Sequence, residues 1–96
     1  MYQDEYHPQV KKDIKHLTPT LRELIQTQHL PKLLANPYQG ELLIGDLNGI
    51  RSYHFTSAKQ PYRIAYVVEE NTHTVFILMI GKRGEFYSLL KKRVKS

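Results

Sequence analysis

The sequence predicts an α+β fold, in which an N-terminal helical hairpin packs on a small, twisted, mainly antiparallel sheet of three or four strands and a short helix ends the chain. Two observations support this prediction. Apolar residues recur at helical spacing up to residue 35, whereas residues 50–80 hold short runs rich in aromatic and β-branched residues, which are typical of strands. A chain of 96 residues has room for a modest core, so we expect one domain over residues 1–96.

The first helix of the predicted hairpin follows a possible short strand at residues 2–6. The second helix begins after Thr18, whose hydroxyl can cap it, and Pro19 then takes the first helical position. Because the connection between the helices is so short, they are expected to lie side by side. The apolar side chains that would form the buried face of the first helix are Val10, Ile14 and Leu17.

The second helix is expected to be interrupted before it ends. Pro31 has no main-chain N–H and disrupts a regular α-helix, so a break or kink is predicted near residues 29–31. The pair Asn36-Pro37 should then stop the helical segment, because the residue before a proline disfavours helical backbone angles.

Three strands are predicted after a glycine-rich loop, at residues 50–55, 62–69 and 74–80. Residues 70–73 suit the turn between the last two strands. The run 74–80 is apolar on both faces, as expected for a strand that is covered from both sides, and it is predicted to be the centre of the sheet. Residues 85–94 carry apolar side chains at helical intervals and predict the C-terminal helix.

Composition excludes several kinds of site. The chain has no cysteine, so disulfides, thiolate zinc sites and cysteine nucleophiles are excluded. The five histidines lack metal-ligand spacing supported by a nearby carboxylate, so we expect no metal and no cofactor. The N-terminus shows no basic and apolar leader, and no run approaches the roughly 20 apolar residues of a membrane span. A soluble protein of the cytoplasm, without membrane association, is expected.

Positive charge is concentrated near the C-terminus. The formal net charge is +5, and residues 82–96 alone hold six basic residues against one acidic residue, so the rest of the chain is neutral. Such a field attracts a polyanion, whether RNA, DNA or an acidic protein segment. For Lys91, Lys92 and Lys95 we prefer the alternative of a solvated last helical turn, where cations complement the helix dipole.

Three short segments resemble a known family. They are "GDLNGIRSYHF" at residues 45–55, "PYRIAYVV" at residues 61–68 and "IGKRGEFY" at residues 80–87. Together with the order of elements, they resemble the RelE/ParE superfamily of bacterial toxins, and most of all its RelE-type mRNA interferases. The resemblance extends over nearly the whole chain and implies the RelE-like fold.

The resemblance also implies a function and partners. It implies the toxin of a type II toxin–antitoxin system, which is a ribosome-dependent endoribonuclease that cuts mRNA in the A site and inhibits translation. Its partners would be the ribosome, mRNA and a cognate antitoxin with an acidic, partly disordered segment. Operator DNA would be bound only through the antitoxin complex.

Cleavage of RNA without a metal, by attack of the 2′-OH on the adjacent phosphate, needs a base, cations and a donor to the leaving oxygen. In RelE-type enzymes the arginines of the "YR" strand and the "GKR" segment contact the phosphate, and these correspond to Arg63 and Arg83. The tyrosine that follows stacks on or deprotonates the nucleotide, and it corresponds to Tyr87. Nearby cations stabilise a phenolate, which favours such a base.

Each of these residues also has a structural alternative. Arg63 could be a surface strand residue paired with Glu41 or Glu69, and Arg83 could cap the end of its strand. Tyr87 could pack against the helix with only its hydroxyl in water.

The strand at residues 50–55 departs from the best-known relatives, which carry two lysines there, two residues apart. This chain has Arg51, Ser52 and Tyr53 instead, and no lysine. The YafQ-like interferases resemble it at "GIRSYHF" and use the histidine as a catalytic acid or base, which corresponds to His54. Histidine exchanges protons near neutral pH. The alternative for His54 is a partly buried structural side chain.

Strand alternation leaves two possible faces for the site. Ser52 and His54 share one face, while Arg51, Tyr53 and Phe55 share the other, and twist or a bulge decides which face lines the cleft. Three further cations are candidate RNA contacts: Arg51, Lys82 and Lys59. For Lys59 we prefer the alternative of a solvated loop residue.

Two other functions are compatible with the same sequence. One is a ParE-like toxin that inhibits DNA gyrase by binding it and needs no catalytic cluster. The other is a catalytically degenerate family member that binds the antitoxin or acts as a co-repressor component.

Overall fold

The computed structural model describes residues 1–95, in which a five-stranded sheet is covered by helices. The sheet order is β1-β5-β4-β3-β2; β1 lies parallel to β5, and all other neighbours are antiparallel. The α+β architecture is confirmed, but the predicted count of three or four strands is too low. The strands are β1 (Gln3–Tyr6), β2 (Glu41–Leu42), β3 (Arg51–Ser57), β4 (Gln60–Glu69) and β5 (Thr74–Lys82).

The predicted centre of the sheet is wrong. β4 occupies the middle position, and β5 lies between β4 and the short parallel strand β1. β5 is nevertheless apolar on both faces, because one face packs against the N-terminal helices and the other against the C-terminal helix. An apolar run indicates cover on both faces, and it carries no information about position in the strand order.

The helices follow the predicted order. The Thr18 hydroxyl accepts a hydrogen bond from the Leu21 N–H at 3.2 Å, which confirms the predicted cap, and Pro19 begins the second helix. No helix within residues 1–95 has the length and apolar character that crossing a membrane requires. The helices are α1 (Val10–Lys15), α2 (Pro19–Leu24), α3 (Leu30–Ala35) and α4 (Phe86–Lys95).

The predicted break between α2 and α3 takes the form of a π turn at Ile25–His29, where the chain stays helical but widens. The Leu30 N–H bonds to the Ile25 carbonyl, five residues earlier. Pro31, in the first turn of α3, would press its ring against the carbonyl four residues back in a regular α-helix. The wider turn relieves this clash, and α3 ends at Ala35, before the pair Asn36-Pro37 as predicted.

A one-residue shift in register divides β5 into two halves. Ala65 pairs with Met79, whereas Tyr66 pairs with Ile77, which leaves Leu78 as an extra residue. The shift places Leu78 and Met79 together on the face covered by α4, which we call the α4 face. β1 also ends here, because its last residue, Tyr6, lies opposite Ile77.

Beyond Ile77, β5 has no strand neighbour on the side of β1, and side chains bond to its backbone instead. The Ile80 N–H donates to the Asp13 carboxylate at 3.0 Å, and the Leu78 carbonyl accepts from the Arg93 guanidinium at 2.9 Å. Asp13 and Arg93 also form a two-pronged ion pair at 2.7 and 2.9 Å, with side chains only 11% and 13% exposed. This tether joins α1, β5 and α4.

Candidate functional site

Strand β3 turns its two faces toward different surroundings. Tyr53 and Phe55 are buried in the core under the N-terminal helices. Ser52 and His54 lie on the α4 face, where they meet a side chain of α4. Of the two faces of β3, the one that meets α4 therefore carries Ser52 and His54.

The start of α4 brings Tyr87 over the sheet. Gly84 has a φ of +112°, a value that residues other than glycine rarely adopt. At this residue the chain turns back after β5. Phe86 is buried on the α4 face together with Leu90, and its ring lies above Gly81. Tyr87, the next residue, therefore faces β3 and β4.

Tyr87, Ser52 and His54 form one hydrogen-bonded cluster. The Tyr87 hydroxyl donates to Ser52 Oγ at 3.2 Å, and His54 Nε2 lies 3.1 Å from the same oxygen. The direct distance from the Tyr87 hydroxyl to His54 Nε2 is longer, at 3.5 Å. Ser52 is almost completely buried, whereas the His54 side chain is 44% exposed.

Arg63 completes one side of this cluster. It is the direct partner of His54 in the β3–β4 ladder, and its guanidinium carbon lies 4.8 Å from the centroid of the Tyr87 ring. This contact is a cation–π interaction, so a positive charge lies against the ring whose hydroxyl meets Ser52. The surface-pair alternative for Arg63 does not describe this position.

Glu41 lies on the other side, beside His54. It pairs with Ser52 in the β2–β3 ladder, and its Oε1 is 3.8 Å from His54 Nε2. The preceding Gly40 lies so close to Tyr66 that a Cβ there would stand 2.3 Å from the phenol oxygen. Tyr66 holds this segment by accepting from the Gly40 N–H at 3.0 Å and donating to the Pro37 carbonyl at 2.7 Å.

Arg83 follows the end of β5 and has an exposed side chain. Its main-chain N–H donates to the Pro61 carbonyl at 3.1 Å, which fixes its backbone at the start of β4. Lys82 is opposite Tyr62 in the ladder, and Lys59 is exposed in the β3–β4 turn with a φ of +65°. Both lysines are accessible at the end of the sheet that also holds Arg83.

Arg51 lies apart from this cluster. Its guanidinium donates to the Tyr38 carbonyl at 3.2 Å and to the Gly40 carbonyl at 2.9 Å, and it stacks over the Tyr38 ring. These contacts hold the segment that leads into β2. Arg51 therefore differs from the other candidate cations in having its donors engaged within the fold.

Behind β3, an aromatic stack supports the site from the core side. Phe55 stacks on His29 with 4.1 Å between ring centroids and on Tyr62 with 5.5 Å. The Tyr53 hydroxyl lies 2.8 Å from His29 Nδ1. Burial lowers the pKa of His29 and raises the pKa of the Tyr53 hydroxyl.

The sequence motifs indicate three members of the cluster, His54, Arg63 and Tyr87, and they do not indicate Ser52 or Glu41. A hydroxyl two residues from a candidate histidine on a strand is a usable signal, because it must share that face. No pattern indicated Glu41, since its place depends on the pairing of a two-residue strand.

The cluster has the chemistry of an acid–base pair. It joins a phenol and an imidazole through one hydroxyl, with a guanidinium on one side and a carboxylate on the other. Within residues 1–95, no three side chains of histidine, aspartate or glutamate gather as a metal site would need.

Comparison with known proteins identifies relatives of this chain. A family model described as the ParE-like toxin of type II bacterial toxin–antitoxin systems matches residues 5–91. No curated protein matches the chain in sequence.

Solved structures with the same fold include chains of bacterial toxin–antitoxin complexes. A chain of the intact E. coli RelBE toxin–antitoxin complex is 21% identical, with a TM-score of 0.71 over 88% of this chain and 99% of that chain. A chain of the RelBE2 toxin–antitoxin complex from Mycobacterium tuberculosis is 23% identical, with a TM-score of 0.75 over 85% and 98%. The isolated E. coli RelE toxin is 25% identical, with a TM-score of 0.67 over 98% and 99%.

Proposed function

The chain belongs to the family of ParE-like toxins of type II bacterial toxin–antitoxin systems, and we propose that it acts as a ribosome-dependent endoribonuclease. In this proposal it cuts mRNA in the A site by attack of the 2′-OH on the adjacent phosphate, without a metal. Family membership confirms the resemblance that the three sequence motifs indicated. The activity itself is inferred from the side chains of the α4 face.

The observation that carries the proposal is the meeting of Tyr87, His54 and Arg63. The phenol and the imidazole are both within 3.2 Å of Ser52 Oγ, and Arg63 lies against the phenol ring. An RNA-cleaving site without a metal needs these three kinds of group, a base, an acid and a cation. A toxin that acts only by binding has no need to gather them.

Each residue has one role in the proposed reaction. Tyr87 takes the proton from the 2′-OH, and Arg63 stabilises the phenolate that does so. His54 gives a proton to the leaving 5′-oxygen. Arg63 and Arg83 stabilise the negative charge that gathers on the phosphate, as fixed guanidinium groups do in phosphoryl chemistry.

The proposal includes the ribosome as a partner. The strand and helix that carry the site form an open surface, since His54 is 44% exposed and Arg83 is exposed. Such a surface does not by itself hold a flexible RNA strand in the bent geometry that in-line attack needs. We expect the decoding site to supply that geometry, so free RNA should be cut poorly.

We also propose a cognate antitoxin as a protein partner. Two of the solved relatives are toxin–antitoxin complexes. The +5 charge of residues 82–96 suits an acidic, partly disordered segment of such a partner. Operator DNA would then be bound through the complex rather than by this chain alone.

The test is mapping of cleavage sites by primer extension on an mRNA bound to purified ribosomes. Wild type should cut at a fixed position within the A-site codon, and much less without ribosomes. The double variant Tyr87→Phe/Arg83→Ala should reduce cleavage by about 10²-fold or more, because it removes the base and one phosphate cation. No cleavage by folded wild-type protein would contradict the proposal.

A matched control carries the same two chemical changes away from the site. Tyr6→Phe/Arg22→Ala alters exposed residues of β1 and α2 and should cut like wild type. Equal loss in both double variants would mean that the changes act through stability. Circular dichroism of each variant checks that the fold is retained.

A second candidate function is inhibition of DNA gyrase, which the match to the ParE-like family favours. It predicts that growth arrest persists in Tyr87→Phe/Arg83→Ala, since binding needs no catalytic pair. A supercoiling assay with purified gyrase distinguishes the two candidates. Arrest that is lost in the double variant, with supercoiling unaffected, favours the nuclease.

A further inference from the structure

Ser52 is a cluster member to which neither the motifs nor the proposed roles give a task. Its side chain is almost fully buried, with 1% of its surface exposed, yet its hydroxyl contacts both Tyr87 and His54. We propose that Ser52 is a positioning residue whose hydroxyl relays a proton between the Tyr87 phenol and the His54 imidazole. This inference rests on the proposed function, and it adds the path by which the site is reset.

The distances favour a path through Ser52 over a direct one. Good hydrogen bonds span about 2.7 to 3.2 Å for N–H···O and about 2.5 to 3.0 Å for O–H···O. The two steps through Ser52, at 3.2 and 3.1 Å, are at or just beyond the long end of these ranges, but both are shorter than the direct distance of 3.5 Å from the Tyr87 hydroxyl to His54 Nε2. A hydroxyl can accept one hydrogen bond and donate another at the same time, which a relay requires.

The protons balance without any added reactant. The Tyr87 O–H bond breaks as its proton joins Ser52 Oγ, while the original Ser52 proton leaves for His54 Nε2. Ser52 ends as the same neutral hydroxyl, with its O–H now directed at the phenolate. The products are a Tyr87 phenolate and a His54 imidazolium, which carry equal and opposite charge.

The groups around the pair favour this separation of charge. Arg63 reaches from β4 over the Tyr87 ring, at 4.8 Å from its centroid, and stabilises the phenolate. Glu41 reaches from β2 to 3.8 Å from His54 Nε2 and stabilises the imidazolium. Each product ion therefore has an opposite charge beside it.

The relay closes the catalytic cycle. During cleavage the phenolate takes the 2′-OH proton and the imidazolium gives its proton to the leaving 5′-oxygen. This step leaves Tyr87 protonated and His54 neutral. Transfer through Ser52 then returns both to the starting state, without exchange with bulk water.

The test removes only the relay oxygen. Ser52→Ala keeps a small side chain on β3, next to Ala65 in the ladder, so the strand should be retained. The matched control is Ser57→Ala, the same change at the end of the same strand. Ser52→Cys preserves the side-chain volume more closely with a weaker donor, so it tests the relay if Ser52→Ala loses its fold.

The first readout is nuclear magnetic resonance of the protein alone. In wild type, neutral His54 should carry its proton on Nδ1, so that Nε2 accepts from Ser52. Ser52→Ala should remove this tautomer preference, and Ser52→Cys should weaken it. An unchanged tautomer in both variants would overturn the relay.

The second readout compares the first turnover with later turnovers of cleavage on ribosomes in dilute buffer. Ser52→Ala should slow later turnovers about 10²-fold more than the first, because each reset of Tyr87 and His54 then needs proton exchange with water. Ser57→Ala should follow wild type. A loss of equal size in first and later turnovers would indicate a packing defect and overturn the relay. If wild type fails to cut at all, the proposed function falls, while the resonance measurement still decides the relay.

Discussion

At the scale of single residues, the protonation of the His29 ring is coupled to its packing in the core. Its ring stacks on Phe55, and the Tyr53 hydroxyl donates to Nδ1 at 2.8 Å when that nitrogen carries no proton. Burial is the main cause of its lowered pKa, and the nearby charge of Lys32 acts in the same direction. The fold therefore favours neutral His29.

The predicted consequence is a loss of stability in mild acid. Because the pKa of His29 is lower in the fold than in the unfolded chain, the unfolded chain binds the extra proton first as the pH falls. The contribution of His29 is present above the unfolded value of about 6.5 and is lost as the pH falls through the folded value. Urea unfolding at about pH 7.5 and about pH 5 should show this loss in wild type and a smaller loss in His29→Gln.

The test compares the pH dependence of stability in wild type and in His29→Gln, because Glu70 also loses a stabilising charge in acid. The hydroxyls of Tyr38 and Tyr2 donate to its carboxylate and lower its pKa from 4.5. That loss occurs in both proteins and cancels in the comparison. An equal pH dependence of wild type and His29→Gln would contradict the assignment to His29.

At the scale of elements, the tether of Asp13 and Arg93 holds α1 and α4 to the irregular part of β5. Asp13→Ala leaves the Arg93 charge and the Ile80 N–H without this partner in a site that is nearly closed to water. Loss of one member of a buried ion pair costs about 3–5 kcal/mol. We expect a decrease of this size in the free energy of unfolding, measured by urea denaturation.

An exposed ion pair provides the comparison. Asp46 and Lys91 lie 3.8 Å apart, with side chains 67% and 47% exposed. Asp46→Ala should change the free energy of unfolding by less than about 1 kcal/mol, because water screens such pairs. Similar costs for the two variants would mean that the tether is not a buried pair in solution.

Elements with strong local signals were predictable, and elements that depend on distant contacts were not. Thr18-Pro19 predicts the start of α2. Strand alternation places Ser52 and His54 on the same face of β3, which leaves two candidate faces for the site. The two residues of β2 are too few to show a strand period, so neither the strand nor the place of Glu41 could be read. The bulge at Leu78 could not be predicted either, because an apolar run has the same sequence pattern with or without a bulge.

At the scale of the whole molecule, the charge that the sequence concentrates in residues 82–96 lies on α4 and on the segment that leads into it. This helix is the one that brings Tyr87 to the site. The basic end of the chain therefore flanks the candidate site, and does not form a separate tail.

Because α4 also carries Tyr87, its basic residues, for which the sequence alone favours a solvated helical turn, are now expected to make a salt-dependent contribution to RNA binding. Each phosphate neutralised on a single strand adds about 0.7 to the slope of log affinity against log salt. Lys91→Gln/Lys95→Gln should lower that slope for ribosome-bound mRNA and leave the cleavage rate at saturation unchanged. Lys11→Gln/Lys12→Gln on α1 is the matched control, which should retain the wild-type slope. Equal slopes for all three proteins would show that α4 does not contact the RNA backbone.

Because β1 ends opposite Ile77, the rest of β5 has no strand neighbour on that side and could meet a strand from another copy of the chain. Past that residue, β5 is an edge strand of the sheet. An edge with unpaired N–H and C=O groups can pair with a strand of a second molecule. Asp13 and Arg93 form hydrogen bonds with the Ile80 N–H and the Leu78 carbonyl, two groups that an added strand would need for pairing. The same two side chains that hold α1 and α4 to β5 thus also leave fewer backbone groups of β5 open to a strand from another copy.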